Sequence, residues 1–181
     1  MSMIGSEKLD DAIHHNDNAS EILKHLNKGI KASLKQSDNA DSTRDGMDIA
    51  LIKYQENTKM NLEYAGANRP IWIIENGKAE VREIKATKKA IGGFTEDEQY
   101  FDSHTIELLK GDTFYIFSDG YADTFNGQNS KKLTTKKFKE ILLSIQNKNM
   151  QEQGKYLDEF IENWKGGTVQ VDDILVIGIR V

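Results

Sequence analysis

Ile22, Leu26, Ile30 and Leu34 recur at a strict four-residue spacing, and Asn18 stands three residues before Glu21 like the two halves of a capping box. This pattern predicts an amphipathic helix. Ahead of it, Ile4, Leu9, Ala12 and Ile13 predict another helix over about residues 3–15, ending near "HHND". The polar run "QSDNADSTRDG" then breaks the period and reads as a loop. Beyond it the pattern turns extended. "MDIALIKY", "MNLEYAG", "PIWIIEN" and "AEVREIK" are separated by the hairpin-sized connections "QENTK", "ANR" and "NGK", and predict four antiparallel strands. From Lys85 to Ser103 no period is sustained and two glycines are adjacent, so a long connection across one end of the sheet is expected. "HTIELL" and "DTFYIFS" predict two more strands. Thr134 is placed to cap a helix bearing Phe138, Ile141, Leu142 and Ile145, and Leu157, Phe160, Ile161 and Trp164 mark another that stops at Gly166-Gly167. "DDILVIGIRV" closes the chain as a strand. Helices, strands, helices and a strand in this order predict a single α+β domain over residues 1–181 with a mostly antiparallel sheet.

Composition narrows the chemistry. Without cysteine, no disulfide, thiolate or cysteine-bound zinc is available, so a metal would have to be held by oxygen or imidazole. The net charge of −5 argues against a nucleic-acid binder, and the short basic runs Lys131-Lys132 and Lys136-Lys137 read as solvated faces. No stretch is apolar and long enough to cross a bilayer, and "MSMIGSEKLDDAIHHND" lacks the order of a signal peptide, so a cytoplasmic location is expected. Trp72 and Trp164 lie on apolar periodic segments and read as core. His14, His15, His25 and His104 lack the i, i+4 pairing with a central glutamate of a helical zinc protease and read as surface or core histidines. "DNADSTRDGMD" fails as a calcium loop, because Ile52 stands where the closing glutamate belongs.

The candidate chemistry lies at two strand ends. Asp119 follows the apolar strand "DTFYIFS", and Asp172-Asp173 precede "ILVIGIRV". If these strands are antiparallel neighbours, the carboxylates meet at one end of the sheet. Clustered carboxylates call for raised pKa values or a cation, and hard ions such as Mg²⁺ or Mn²⁺ take oxygen ligands. Gly120 would permit a sharp turn and let its own carbonyl approach an ion, and Asp123 could add an oxygen from the same loop. On spacing alone the commoner reading of both dipeptides is structural, a turn after one strand and a polar start to another.

"LEYAGANRPIWII", "GDTFYIFSDGYADTFNG" and "VDDILVIGIRV", in this order, resemble the bacterial PPM (PP2C-like) metal-dependent serine/threonine phosphatases of the SpoIIE/RsbU branch. The resemblance implies an α-β-β-α sandwich of antiparallel sheets flanked by helices. It also implies two Mn²⁺ or Mg²⁺ ions and hydrolysis of phosphoserine or phosphothreonine by a metal-activated water. Its metal motifs fall on Asp119 and Gly120 and on Asp172 and Asp173, with Asp172 the direct ligand of the pair, and its site for a weaker third ion falls on Asp123. Asn68 and Arg69 sit beside the supporting "AGANRP" landmark, where they could line the substrate entrance.

In this branch a glycine-rich stretch with a metal-bridging aspartate precedes the segment resembling "MSMIGSEKL". The expectation is therefore a domain incomplete at its N-terminus that turns over phosphoserine weakly and self-associates through exposed sheet edges. "KATKKAIGG" also departs from the family pattern. The resemblance implies the output module of a bacterial signalling protein with a sensor domain upstream, itself open to membrane anchoring there. Its substrate would be a phosphoprotein, by resemblance an anti-sigma-factor antagonist. The alternative is a catalytically silent phosphatase-like binding module in partner-switching regulation.

Overall fold

A computed structural model describes residues 2–36, 45–56 and 60–181. Their elements are α1 (Ser2–His15), α2 (Ala19–Ser33), β1 (Gly46–Met47), β2 (Ile49–Glu56), β3 (Met60–Ala67), β4 (Ile71–Ile74), β5 (Arg82–Ile84), β6 (Ile91–Gly92), β7 (Ser103–Leu108), β8 (Thr113–Phe117), α3 (Gly120–Asp123), α4 (Thr135–Ser144), α5 (Met150–Lys165) and β9 (Val176–Arg180). Most of the loop predicted at "QSDNADSTRDG" and the centre of "QENTK" lie outside the described residues. No helix among the described residues is long and apolar enough to cross a membrane.

The chain divides into two compact units, residues 1–71 with 84–108 and residues 72–83 with 109–181. In the first, α2 is capped by Asn18, whose side chain accepts from the backbone N–H groups of Ser20 and Glu21, the Asn18 half of the capping box that the sequence suggests. Its apolar face, Ile22, Leu26 and Ile30 with Leu23, is buried against Ala65 and Ala67 of β3, Ile91 and Phe101. The sheet here is β2-β3-β7, antiparallel throughout, with Leu51 opposite Ala65 and Leu62 opposite Ile106. The connection from Lys85 to Ser103 is more ordered than its composition suggests. Fully buried Asn27 donates to the Glu96 carbonyl at 2.8 Å and accepts from Gly92 N–H and the Thr95 hydroxyl, each at 2.8 Å. One helix amide thus satisfies the loop's orphan polar groups. It also steadies the two-residue pairing of β1 with β6.

In the second unit the order is β5-β4-β8-β9, with β4–β8 and β8–β9 antiparallel. The four consecutive strands predicted from Met47 to Lys85 therefore belong to two sheets. The physical reason lies in "NRP": Asn68 takes a left-handed φ of 60° and Pro70 has no N–H to continue a ladder. One face of this second sheet carries Trp72, Ile74 and Tyr115, buried with Tyr121, Phe138, Ile141, Leu142, Leu157 and Ile161. Phe138 is the hub, with ring centroids 5.4 Å from Trp72, 5.4 Å from Phe117 and 4.3 Å from Tyr121. Thr134 caps α4, as predicted, its side chain accepting from Lys137 N–H, and α5 opens with a full capping box between Asn149 and Glu152 and stops at Gly166.

Tyr121 donates its buried hydroxyl to the Leu157 carbonyl at 3.0 Å. Burial, helped by Tyr156 and Asp158, pushes that hydroxyl above the ordinary tyrosine range, and burial does the same to Tyr115. A folded-state value above the unfolded one of about 10 means that the unfolded chain releases the proton first. Stability is therefore intact below about pH 10 and falls as the pH rises beyond it. Urea melts at rising pH should show this decline, and Tyr121→Phe should flatten it while losing about 1 kcal/mol at neutral pH.

Candidate metal centre

β8 ends at Phe117, opposite Val176, and the ladder would stop there were it not for Ser118. Its N–H donates to the Leu175 carbonyl at 3.0 Å. Its hydroxyl donates to the Asp173 carbonyl at 2.7 Å and accepts from Leu175 N–H at 2.9 Å. Three hydrogen bonds from one residue thus carry the pairing past the strand and bring the segment before β9 alongside.

Two residues later the backbones nearly touch. A Cβ placed on Gly120 would sit 2.4 Å from the Asp173 carbonyl oxygen and 3.2 Å from that of Asp172. Glycine is required here by close approach. Its own carbonyl accepts from the Thr124 hydroxyl at 2.7 Å. Asp119 occupies the N-cap position of the one-turn α3 in helical geometry, φ −70° and ψ −21°, with no side-chain capping bond.

Asp119, Gly120, Asp172 and Asp173 accordingly stand at one end of the β8–β9 pair, Asp119 half-buried and the last two exposed. Asp172 Oδ1 accepts from Asp173 N–H at 2.8 Å, and the Asp172 carbonyl accepts from the Gln170 amide at 3.0 Å. Asp123, one helical turn on, is paired with Lys132 Nζ at 3.0 Å. Asp119, Asp123, Asp172 and Asp173 do not supply three ligand atoms within 4.8 Å of one another. In the first unit, Asn68 and Arg69 grip the same carboxylate, Asn68 donating to Asp48 Oδ1 and Arg69 to Asp48 Oδ2, each at 2.8 Å. Asn68 also lines a cavity of about 370 Å³ that includes Lys88 and Lys89.

Two features escaped the sequence. Ser118 reads as the last residue of a strand, and only the β8–β9 register shows that it joins the two carboxylate segments. Asp11, His15 and His25 form the one group of three metal-capable side chains within 4.8 Å among the described residues. The histidines sit on different helices ten residues apart, a spacing that no single-helix motif tests.

A family model described as stage II sporulation protein E (SpoIIE) matches residues 1–181. No curated protein matches the sequence. Among solved structures, the SiaA PP2C domain of Pseudomonas aeruginosa is similar at 25% identity and a TM-score of 0.83, over 99% of this chain and 68% of that one. The PP2C phosphatase domain of SpoIIE from Bacillus subtilis, with a fragment of its regulatory domain, is similar at 16% identity and a TM-score of 0.66, over 98% of this chain and 48% of that one. The catalytic domain of the serine/threonine protein phosphatase PstP, solved with two manganese ions, is similar at 17% identity and a TM-score of 0.61, over 97% of this chain and 79% of that one. The fold of antiparallel sheets and helices is thus that of PP2C phosphatase domains.

The close approach at Gly120 can be tested against a neutral glycine. Gly120→Ala should cost about 2 kcal/mol or more in urea denaturation, because the methyl meets backbone rather than a side chain that can move. Gly154→Ala, on the exposed face of α5 with nothing within 4 Å, should stabilise by about 0.5–1 kcal/mol. Equal effects at the two positions would refute the close approach.

Proposed function

The chain belongs to the stage II sporulation protein E (SpoIIE) family, and from that membership we propose a metal-dependent phosphatase acting on protein phosphoserine or phosphothreonine. The observation that carries this reading is the joining of two carboxylate-bearing segments by Ser118 and Gly120 at the end of β8 and β9. The donor set is all oxygen and reachable from solvent, which fits a hard divalent ion. Asp119 and Asp172 would hold Mn²⁺ or Mg²⁺, with Asp173 and the Gly120 backbone beside them. Asp123 would serve a further, weaker ion and would have to leave Lys132 to do so.

Bound metal of this kind activates water and neutralises phosphate oxygens. The protein's own contribution is placement. Ser118 fixes the spacing of the two segments, and no aspartate needs to move a proton. In the first unit, the Asp48 grip orients Asn68 and Arg69, and the cavity shared with Lys88 and Lys89 offers positive charge to a phosphorylated segment.

The chain spans 68% of the SiaA domain and 48% of the SpoIIE structure, and the activity proposed is that of the protein containing it. Its setting would be a cytoplasmic signalling output with a sensor domain upstream and a regulatory phosphoprotein, of the anti-sigma-factor-antagonist type, as substrate. Self-association is supported by β9, a terminal strand of its sheet with Leu175, Ile177 and Ile179 exposed in or beside it. A second reading, a silent phosphatase-like binding module, draws on the lack of three convergent ligand atoms among these aspartates.

Phosphate release from a phosphoserine protein, measured with and without Mn²⁺, distinguishes the two. We expect Mn²⁺-dependent turnover. Asp119→Ala and Asp172→Ala should each lower it about 100-fold or more. Turnover that survives Asp119→Ala sinks the metal assignment. Phosphoprotein binding without turnover favours the silent module.

A further inference from the structure

α1 and α2 are joined by only Asn16, Asp17 and Asn18 and pack against each other as a hairpin. Near this turn, Asp11 and His15 lie one helical turn apart on α1, and His25 faces them from α2. Asp11 presents its two oxygens to different rings: Oδ1 is 3.4 Å from His15 Nδ1, and Oδ2 is 3.2 Å from His25 Nε2. The two imidazoles stack at 5.7 Å between centroids and 14° between planes. All three side chains keep substantial exposure, 49% for Asp11, 63% for His15 and 39% for His25, so an ion can reach them from solvent.

We propose that Asp11, His15 and His25 form a second metal site, chemically distinct from the aspartate centre and specific for a borderline ion such as Zn²⁺. Two imidazoles and one carboxylate are a zinc donor set, leaving a fourth position to water, whereas Mg²⁺ and Mn²⁺ prefer oxygen. The spacing is close to what binding needs. Ligands of one tetrahedral zinc stand about 3.3 Å apart, and here one ligand atom from each residue already lies within 4.8 Å of the others.

The surrounding hydrogen bonds also suit ligation. His15 Nδ1 is 2.8 Å from the Asp11 carbonyl oxygen, so the neutral ring keeps its proton there and leaves a lone pair on Nε2. A ring proton held by a backbone carbonyl is the usual companion of a histidine ligand. His25 Nδ1 accepts from the Asn16 amide at 3.3 Å, so its proton lies on Nε2, towards Asp11. Zinc at Nε2 takes the place of that proton. The proton then moves to Nδ1, and Asn16 turns its amide oxygen to receive it. The site would tie the end of α1 to the second turn of α2, in the first unit and independent of the aspartates of the second.

Titration of this chain with Zn²⁺, followed by ¹⁵N–¹H spectra of its four histidines, reads the site directly. We expect the His15 and His25 signals to shift together and saturate at one equivalent, with His25 changing tautomer and His14 and His104 unmoved. The same shifts should persist in an Asp119→Ala, Asp172→Ala background, which separates this site from the proposed phosphatase centre. His15→Ala and His25→Ala should each weaken Zn²⁺ binding about 10-fold or more, with unchanged helical circular dichroism. Unchanged affinity in either variant, shifts spread equally over His14 and His104, or loss of the shifts in the aspartate background would overturn the proposal.

Discussion

The backbone of Gly120 runs so close to the carbonyls of Asp172 and Asp173 that no side chain fits between them. That approach brings two distant parts of the chain, each carrying aspartate, to one end of a sheet. Ser118 supplies the matching attraction. Its three hydrogen bonds to Asp173 and Leu175 act where the regular ladder has ended, so the segment before β9 is held by specific contacts. A missing Cβ on one side and a hydroxyl on the other set where the carboxylates can go.

A close approach of this kind is useful only on a rigid support, and β8 has one. Thr113, Phe114 and Tyr115 are buried, and β4 and β9 flank the strand. Beneath it, Phe138 gathers Trp72, Phe117 and Tyr121 into one aromatic cluster. Tyr121, immediately after Gly120, ties the same turn to α5 through the Leu157 carbonyl. The apolar strand and the charged turn that ends it are thus parts of one device: burial fixes the strand, and the turn inherits its position.

Much of this was legible in the chain. The buried face of α2 follows from a four-residue period, and the caps at Asn18 and Thr134 follow from side chains that can accept from a helix start. The meeting of Asp119 with Asp172 and Asp173 was readable as a conditional, because charges at strand ends reveal which end they mark, and the β8–β9 pairing supplies the condition. What stayed hidden depends on contacts between segments far apart in the chain. β1 and β6 are two residues each, too short to show a period, and they find each other across a connection held by Asn27. Asn27 is polar and fully buried, and its hydrogen bonds to the loop explain that burial. The division of four strands between two sheets turns on Asn68, which reads as part of a hairpin connection, and Pro70, which reads as the start of the next strand. The histidine cluster arises where two helices meet, so neither helix alone displays it.

If Ser118 and Gly120 hold Asp119 and Asp172 as partners for one metal centre, anomalous diffraction from a Mn²⁺-soaked crystal will locate the ion between them. We expect a manganese peak at the end of β8 and β9, about 2.1–2.3 Å from carboxylate oxygens of both Asp119 and Asp172. A manganese peak held by other residues, or none at this end of the sheet at millimolar Mn²⁺, would show that the two segments are joined for structural reasons alone.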